Sequence, residues 1–352
     1  MLRHLWRNRS AGADARDSRC SAIAFVAAAA LGCCVTVAAL CVPDTAESRR
    51  SLATGAPAVG SIELVATTPL PGQPTGLAVS RTHVGVSLAL DGVTFVRRDD
   101  ASRSRRIRID GAATSIHTDG SRFWVADMLH DRVLKLDEAG SVLGEFRVGG
   151  LPGGIALTRS DVWVLGLEEP SITLADRRNQ LPVVHLSFGA GELWPRAIAS
   201  GPHGVWISTG HRAAVTLMDA EGYVTRGKVA VRGVDRLTTT PQGVWAARQG
   251  PGPELARIDG STLRVQTRDL PGQLRVTAID AGSILAVAVR GAVLGLDPKT
   301  GVRRARAVID ADRELTHVAV DGDDIWAVDA THNELLRFHL RLPSAHREGR
   351  GG

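Results

Sequence analysis

An aliphatic-aromatic pair returns about every 40 residues through most of the chain, and no other feature restricts the fold as much. It reads Phe123-Trp124, Val162-Trp163, Val205-Trp206, Val244-Trp245 and Ile325-Trp326. Val84-Gly85 and Ile284-Leu285 complete the series, so that the second members fall 39, 39, 43, 39, 40 and 41 residues apart. A period of this length holds four short strands but no core of its own, which predicts a propeller blade repeated seven times. In each unit a short apolar strand precedes the pair by about eight residues, as in Gly76-Leu77-Ala78-Val79 and Ala197-Ile198-Ala199. A third strand follows and ends in Asp, as in Leu134-Lys135-Leu136-Asp137 and Arg257-Ile258-Asp259, where the Asp starts a tight turn into the fourth.

The same spacing predicts how the ring closes. The last unit ends at Arg337-Phe338-His339-Leu340 with only a polar tail behind it, so it lacks a fourth strand. The run from Ile62 to Thr67 precedes the first unit without a partner. An open ring would leave two sheet edges exposed, so this run is expected to complete the last blade as its outer strand.

Composition agrees with an all-β array. The 38 Gly and 16 Pro punctuate the whole chain, and helical spacing is absent after the first fifty residues. A net charge of +5 is a mild bias on 352 residues, and the densest basic run, RRDDASRSRRIRID (97–110), mixes Arg with Asp. It is expected to be a solvated outer strand, and no nucleic-acid partner is expected. All four Cys, at 20, 33, 34 and 41, lie at the amino terminus, so the repeats can hold neither a disulfide nor a Cys-ligated metal.

Residues 21–42 form 22 consecutive positions without a charge, long enough to cross about 30 Å of hydrocarbon as a helix. Five Arg and two Asp precede the run, and positive flanks stay inside. The expected organisation is a cytoplasmic basic segment (1–20), an uncleaved transmembrane anchor (21–42), a linker (43–60), a seven-bladed β-propeller outside the plasma membrane (61–341) and a tail (342–352). A cleaved signal peptide is the alternative, although its apolar stretch is usually shorter.

The blades resemble known families. ADMLHDRVLKLD, from Ala126, resembles an NHL-type repeat, and IWAVDATHNELLRF, from Ile325, is a looser match. GPHGVWIS, from Gly201, resembles repeats of the virginiamycin B lyase-like propellers. The resemblance spans nearly all of 61–341 and implies the propeller fold. It is shared by sensors, binding modules and enzymes, so it does not select a function.

Ligands of propellers usually sit at a mouth of the central channel, where the residues leading into the first strand of each unit crowd together. In units one to three these are small: Thr75-Gly76, Thr114-Ser115 and Gly153-Gly154. In units four to seven they are Arg196, Asp235-Arg236, Arg275 and Thr316-His317. A cationic arc of this kind suits a carboxylate or phosphate, because Arg presents a planar donor fork. Trp194, the one Trp of the repeats outside the recurring position, stands beside Pro195-Arg196 as a candidate wall. The structural alternative is that each Arg bonds a neighbouring carbonyl or Asp235.

His130, His211 and His332 recur after the unit's Trp, but in units that are not all adjacent, and two of them stand where NHL-type repeats place a structural Asn. Asp310, Asp312, Asp321, Asp323 and Asp324 lack the spacing of a calcium loop and read as turn residues. No nucleophile motif and no phosphate loop are present. The expectation is therefore a binding module with no catalytic residue, metal or cofactor, whose partners are the membrane through 21–42 and a small anion or a protein. A lyase or lactonase-type enzyme acting at the channel mouth is the alternative.

Overall fold

The computed structural model describes residues 60–168, 170–187, 195–209, 214–248, 254–270 and 275–342. The apolar run 21–42, the four Cys, Trp194 and His211 lie outside these. Among the described residues no helix is long and apolar enough to cross a membrane.

The described strands fall into seven four-stranded antiparallel units. After a leading strand β1 (Gly60–Pro69), blade one comprises β2 (Pro74–Val79), β3 (His83–Leu88), β4 (Gly92–Arg97) and β5 (Ser104–Ile107). Blade two comprises β6 (Ala113–Thr118), β7 (Arg122–Asp127), β8 (Arg132–Asp137) and β9 (Val142–Arg147). Blade three is β10 (Pro152–Leu157), β11 (Asp161–Gly166), β12 (Ser171–Asp176) and β13 (Pro182–Ser187). Blade four is β14 (Pro195–Gly201), β15 (Gly204–Thr209), β16 (Ala214–Met218) and β17 (Thr225–Ala230). Blade five is β18 (Val234–Thr240), β19 (Gly243–Arg248), β20 (Leu255–Asp259) and β21 (Val265–Arg268). Blade six is β22 (Val276–Ala281), β23 (Leu285–Val289), β24 (Ala292–Leu296) and β25 (Arg303–Val308). Blade seven has β26 (Leu315–Asp321), β27 (Asp324–Asp329) and β28 (Glu334–Arg341), with β1 as its fourth strand.

The first strands pack side by side in the cyclic order β2, β6, β10, β14, β18, β22, β26 and back to β2. They are therefore the innermost strands of a closed β-propeller, and all seven start at one mouth of its channel. β1 closes the ring as its spacing predicts, pairing antiparallel with β28 from Ser61↔Arg341 to Pro69↔Glu334. It also pairs in parallel with β25 at Gly60↔Ala305 and Ser61↔Arg306, which joins blades six and seven into one eight-stranded sheet.

The recurring Trp residues explain the period. Trp124, Trp163, Trp206, Trp245 and Trp326 are buried, and each packs against the blade that follows. Trp124 meets Val162 and Val164, Trp206 meets Val244 and Ala246, and Trp326 crosses the ring closure to meet Val84 and Val86. Truncating one such indole to Ala would cost about 3–5 kcal/mol.

Blades one and six lack the Trp and solve the same packing differently. In blade one, Gly85 takes the position, and a Cβ there would lie 2.8 Å from both Ile116 and Phe123 of blade two. Phe95 fills the gap instead, with its ring 4.8 Å from that of Phe123. In blade six the expected register is off by one residue. Ala286, not Leu285, occupies the Trp position, since it pairs with Asp280 and faces blade seven with Phe338. Leu285 points the other way, onto Trp245 of blade five.

At the far face from the mouth, the Asp residues that end the third strands cap the following turns, as expected. Asp137 accepts from Ser141 N, Asp219 from Glu221 N and Gly222 N, Asp259 from Ser261 N and Thr262 N, and Asp297 from Lys299 N and Thr300 N. In the run 97–110, Arg97 ends β4, Arg105 and Arg106 lie on the exposed outer strand β5, and Arg108 follows it. Arg97 pairs there with Asp99 and Arg103 with Asp100.

Candidate binding site at the channel mouth

All seven innermost strands share one irregularity. The pairing of the first strand with the second shifts register near its start: at Pro74/Gly76, Ala113/Ser115, Pro152/Ile155, Pro195/Ala197, Val234/Arg236, Val276/Ala278 and Leu315/His317. Such a bulge opposes two residues to one and turns both of their side chains toward the same side. The consequence is visible in blade two. Thr114 Oγ1 donates to Pro152 O at 2.7 Å and its neighbour Ser115 Oγ donates to Gly153 O, so consecutive residues both reach blade three. In blade one, Thr75 Oγ1 likewise donates to Ala113 O at 2.7 Å.

The sequence-predicted site residues stand on this ring of bulges. Arg196 occupies the bulge of β14, where blades one and two carry the bonded Thr, and it is exposed. It has no hydrogen-bond or ion-pair partner among the described residues. Asp235 and Arg236 form the bulge pair of β18. Because the bulge puts them on one side, Arg236 Nη1 lies 3.8 Å from the Asp235 carboxylate and donates to Asp235 O at 3.0 Å. The structural alternative thus holds for part of the Arg236 guanidinium. Arg275, also exposed, immediately precedes β22.

Thr316 and His317 form the bulge pair of β26, with Thr316 Oγ1 and His317 Nδ1 3.1 Å apart. Protein surrounds the His317 ring, leaving it only partly reached by solvent. This burial, and the Arg236 charge facing it, push its pKa down to about 3. His317 is therefore a neutral imidazole at any ordinary pH, which lets it sit near a guanidinium without repulsion. The structure brings Arg236 and His317 into electrostatic reach across blade six. It sets Arg196 on β14 and Arg275 just before β22, the innermost strands on either side of β18, with no contact between the two among the described residues.

Sequence reasoning missed two groups. Arg232 is exposed just before β18, and its carbonyl accepts from Arg248 Nε at 2.8 Å. Asp280, the one acid in the apolar run of β22, sits deeper in the channel wall. Its carboxylate accepts from Thr238 Oγ1 of blade five at 3.1 Å and from Val320 N of blade seven at 2.8 Å. Burial without a cation raises its pKa to about 6, against the effect of those bonds. Its signal in the sequence was an ionisable residue where the repeat asks for an apolar or small one.

The two described histidines of the second-to-third strand loops, His130 and His332, are each bound to a buried Asp, in keeping with the structural position the repeat resemblance implied for them. His130 Nδ1 lies 2.9 Å from the buried Asp127, and His332 Nδ1 lies 2.8 Å from the buried Asp329. Arg132 and Arg313 neutralise the same two carboxylates, at 2.9 and 2.8 Å. Among the described residues no three His, Cys, Asp or Glu are grouped to hold a metal ion. Of the acids near the carboxyl end, Asp321 pairs with Arg98 and Asp324 with Arg337 at 2.7 Å.

The described strands define a seven-bladed β-propeller. No family model matches the sequence, and no curated protein does. Solved structures do match. A streptogramin B lyase is 14% identical, with a TM-score of 0.66, and the match covers 80% of this chain and 98% of that one. Virginiamycin B lyase from Staphylococcus aureus is 15% identical, with a TM-score of 0.66 over 79% and 99% of the two chains. The Cps50 (Swd1) β-propeller domain of Myceliophteria thermophila is 12% identical, with a TM-score of 0.64 over 79% and 99%. At these identities the likeness is one of fold.

Proposed function

We propose that this protein is an extracytoplasmic binding module, tethered to the plasma membrane by residues 21–42, whose propeller mouth takes a small anionic ligand. One observation carries the reading. The bulge hydroxyls of blades one and two are bonded to the next blade, whereas Arg196, at the same position of blade four, is exposed and has no partner among the described residues. Arg232 and Arg236 lead blade five, and Arg275 leads blade six. Arg thus stands at or just before the start of the innermost strand in three consecutive blades, and a carboxylate or phosphate at the mouth can take bidentate hydrogen bonds from such groups. The 22-residue apolar run and its basic flank support the tether and its orientation.

The test is ligand-dependent melting of the full chain in detergent micelles. Malate or inorganic phosphate should raise the melting temperature increasingly with concentration, because a ligand that binds only the folded state stabilises it by mass action. Added sodium chloride should weaken the shift, since the mouth is open to water. An Arg196→Ala, Arg236→Ala double variant should melt like the parent without ligand and show no shift with it. A shift of equal size in the double variant would overturn the reading.

A further inference from the structure

The bulge of β26 does for His317 what the bulge of β18 does for Arg236: it turns the residue and its neighbour to one side. Thr316 Oγ1 then lies 3.1 Å from Nδ1, which fixes the ring and engages that nitrogen. Nε2 has no partner among the described residues, and the ring remains partly open to solvent. Solvent reaches an innermost strand from the channel side, so Nε2 is the nitrogen left for a ligand.

Arg236 of β18 and His317 of β26 hold the same bulge position on the two innermost strands that flank β22, where Ala278 stands at that position with only a methyl group. A permanent cation and a neutral hydrogen-bonding ring therefore stand at matching positions on either side of Ala278. Other arrangements of the mouth lack this pairing. At the matching position blade one has Gly76 and blade four has Ala197, while the Ser115 hydroxyl of blade two is bonded to Gly153 O.

We propose that the mouth recognises two features of one ligand: an anionic group held by Arg236 with Arg196, and next to it a hydroxyl or carbonyl held by Nε2 of His317. The ligand class is a hydroxy- or keto-carboxylate, or a sugar phosphate that offers the same two groups, rather than a bare anion. Burial keeps the imidazole uncharged, so it contributes direction and not attraction. Thr316 is a positioning residue that acts through His317. This inference rests on the anion-binding reading above.

Two acids of equal charge that differ by one hydroxyl, malate and succinate, test it by titration calorimetry on the full chain in micelles. The wild type should bind malate about 10-fold more tightly than succinate, the difference of one well-placed hydrogen bond to a partly exposed group. His317→Phe, which keeps the ring's bulk, should leave succinate affinity unchanged and bring malate to within about twofold of it. His317→Gln, which restores a donor and acceptor, should recover part of the preference. Arg236→Ala should weaken both acids alike. Equal affinities in the wild type, or a malate preference that survives in a folded His317→Phe variant, would overturn the two-feature proposal and leave the anion site standing. No saturable binding of either acid to the wild type would instead overturn the anion site, and this proposal with it.

Discussion

Blades one and two and blades four and five begin their innermost strands with the same backbone device and use it for opposite ends. In each, a bulge near the mouth opposes two consecutive residues to one on the second strand. Where the residues are Thr75, Thr114 and Ser115, the hydroxyls reach carbonyls of the next blade and become part of the ring. Where they are Arg196 and Asp235-Arg236, no hydroxyl is there to donate: the Arg196 side chain is exposed, and Arg236 turns back onto Asp235. The bulge sets the position, and the side chain standing there decides whether the group serves the fold or stays available to a ligand. An asymmetric mouth can therefore arise on a nearly symmetric scaffold without any change of backbone.

The largest effect expected from this contrast falls on the bonded side. A Thr75→Val, Thr114→Val double variant keeps the shape of both side chains but leaves the Ala113 and Pro152 carbonyls without these donors. Unmade hydrogen bonds at partly buried groups cost about 1–2 kcal/mol each, so urea unfolding should show a loss of about 2–4 kcal/mol. The variant should still respond to an anion, because the arginine arc is untouched. A loss below about 0.5 kcal/mol would mean that the hydroxyls are incidental and that the two halves do not differ in the way described.

Asp280 sharpens the comparison, because it is an ionisable group of the cationic half that is nonetheless engaged by the fold. It links β18, β22 and β26 through Thr238 Oγ1 and Val320 N. Its folded-state pKa is raised, to about 6 from 3.8, so the folded protein holds this proton more tightly than the unfolded chain does. The resulting stabilisation is complete below pH 3.8 and is lost as the pH rises through about 6. Asp280→Asn removes that loss. The variant should match the parent at pH 4 and exceed it by about 2 kcal/mol at pH 8, allowing for partial screening through the channel. If the two proteins keep the same stability difference at both pH values, Asp280 does not titrate in this window.

The contrast was half legible in the sequence. The 40-residue period, the capping Asp residues and the unpaired run before the first unit all follow from local patterns, and they specify the blades and their closure. The residue types at the mouth were visible as well. Their direction was not, because a bulge is a backbone event whose trace is two adjacent polar residues interrupting an alternating strand, as in Thr114-Ser115, Asp235-Arg236 and Thr316-His317. Blade six shows the same limit in its second strand. Ile284-Leu285-Ala286-Val287 is apolar at every position, so without a Trp nothing marks which residue faces blade seven, and hydrogen-bond register alone places Ala286 there. Asp280 was missed for a related reason: a lone acid reads as an exposed one until the strands on either side of it are known.

The smallest expected change in stability belongs to Arg196, and its smallness is what makes it informative. Arg196 takes the bulge position that Thr75 and Thr114 hold in blades one and two, yet its side chain is exposed and bonds nothing among the described residues. Substitution of an exposed side chain away from caps, cavities and buried networks usually changes stability by no more than about 0.5 kcal/mol. Arg196→Ala should therefore unfold in urea as the parent does, within that margin, at any salt concentration. Arg196→Thr goes further by restoring the residue type of blades one and two. If the bulge turns side chains in blade four as it does there, the new hydroxyl should find a carbonyl of blade five, and the variant should gain about 0.5–1 kcal/mol over Arg196→Ala. A folded Arg196→Thr variant no more stable than Arg196→Ala would show that the bulges of the two halves aim differently, and that the arginine is exposed because of its blade rather than its side chain.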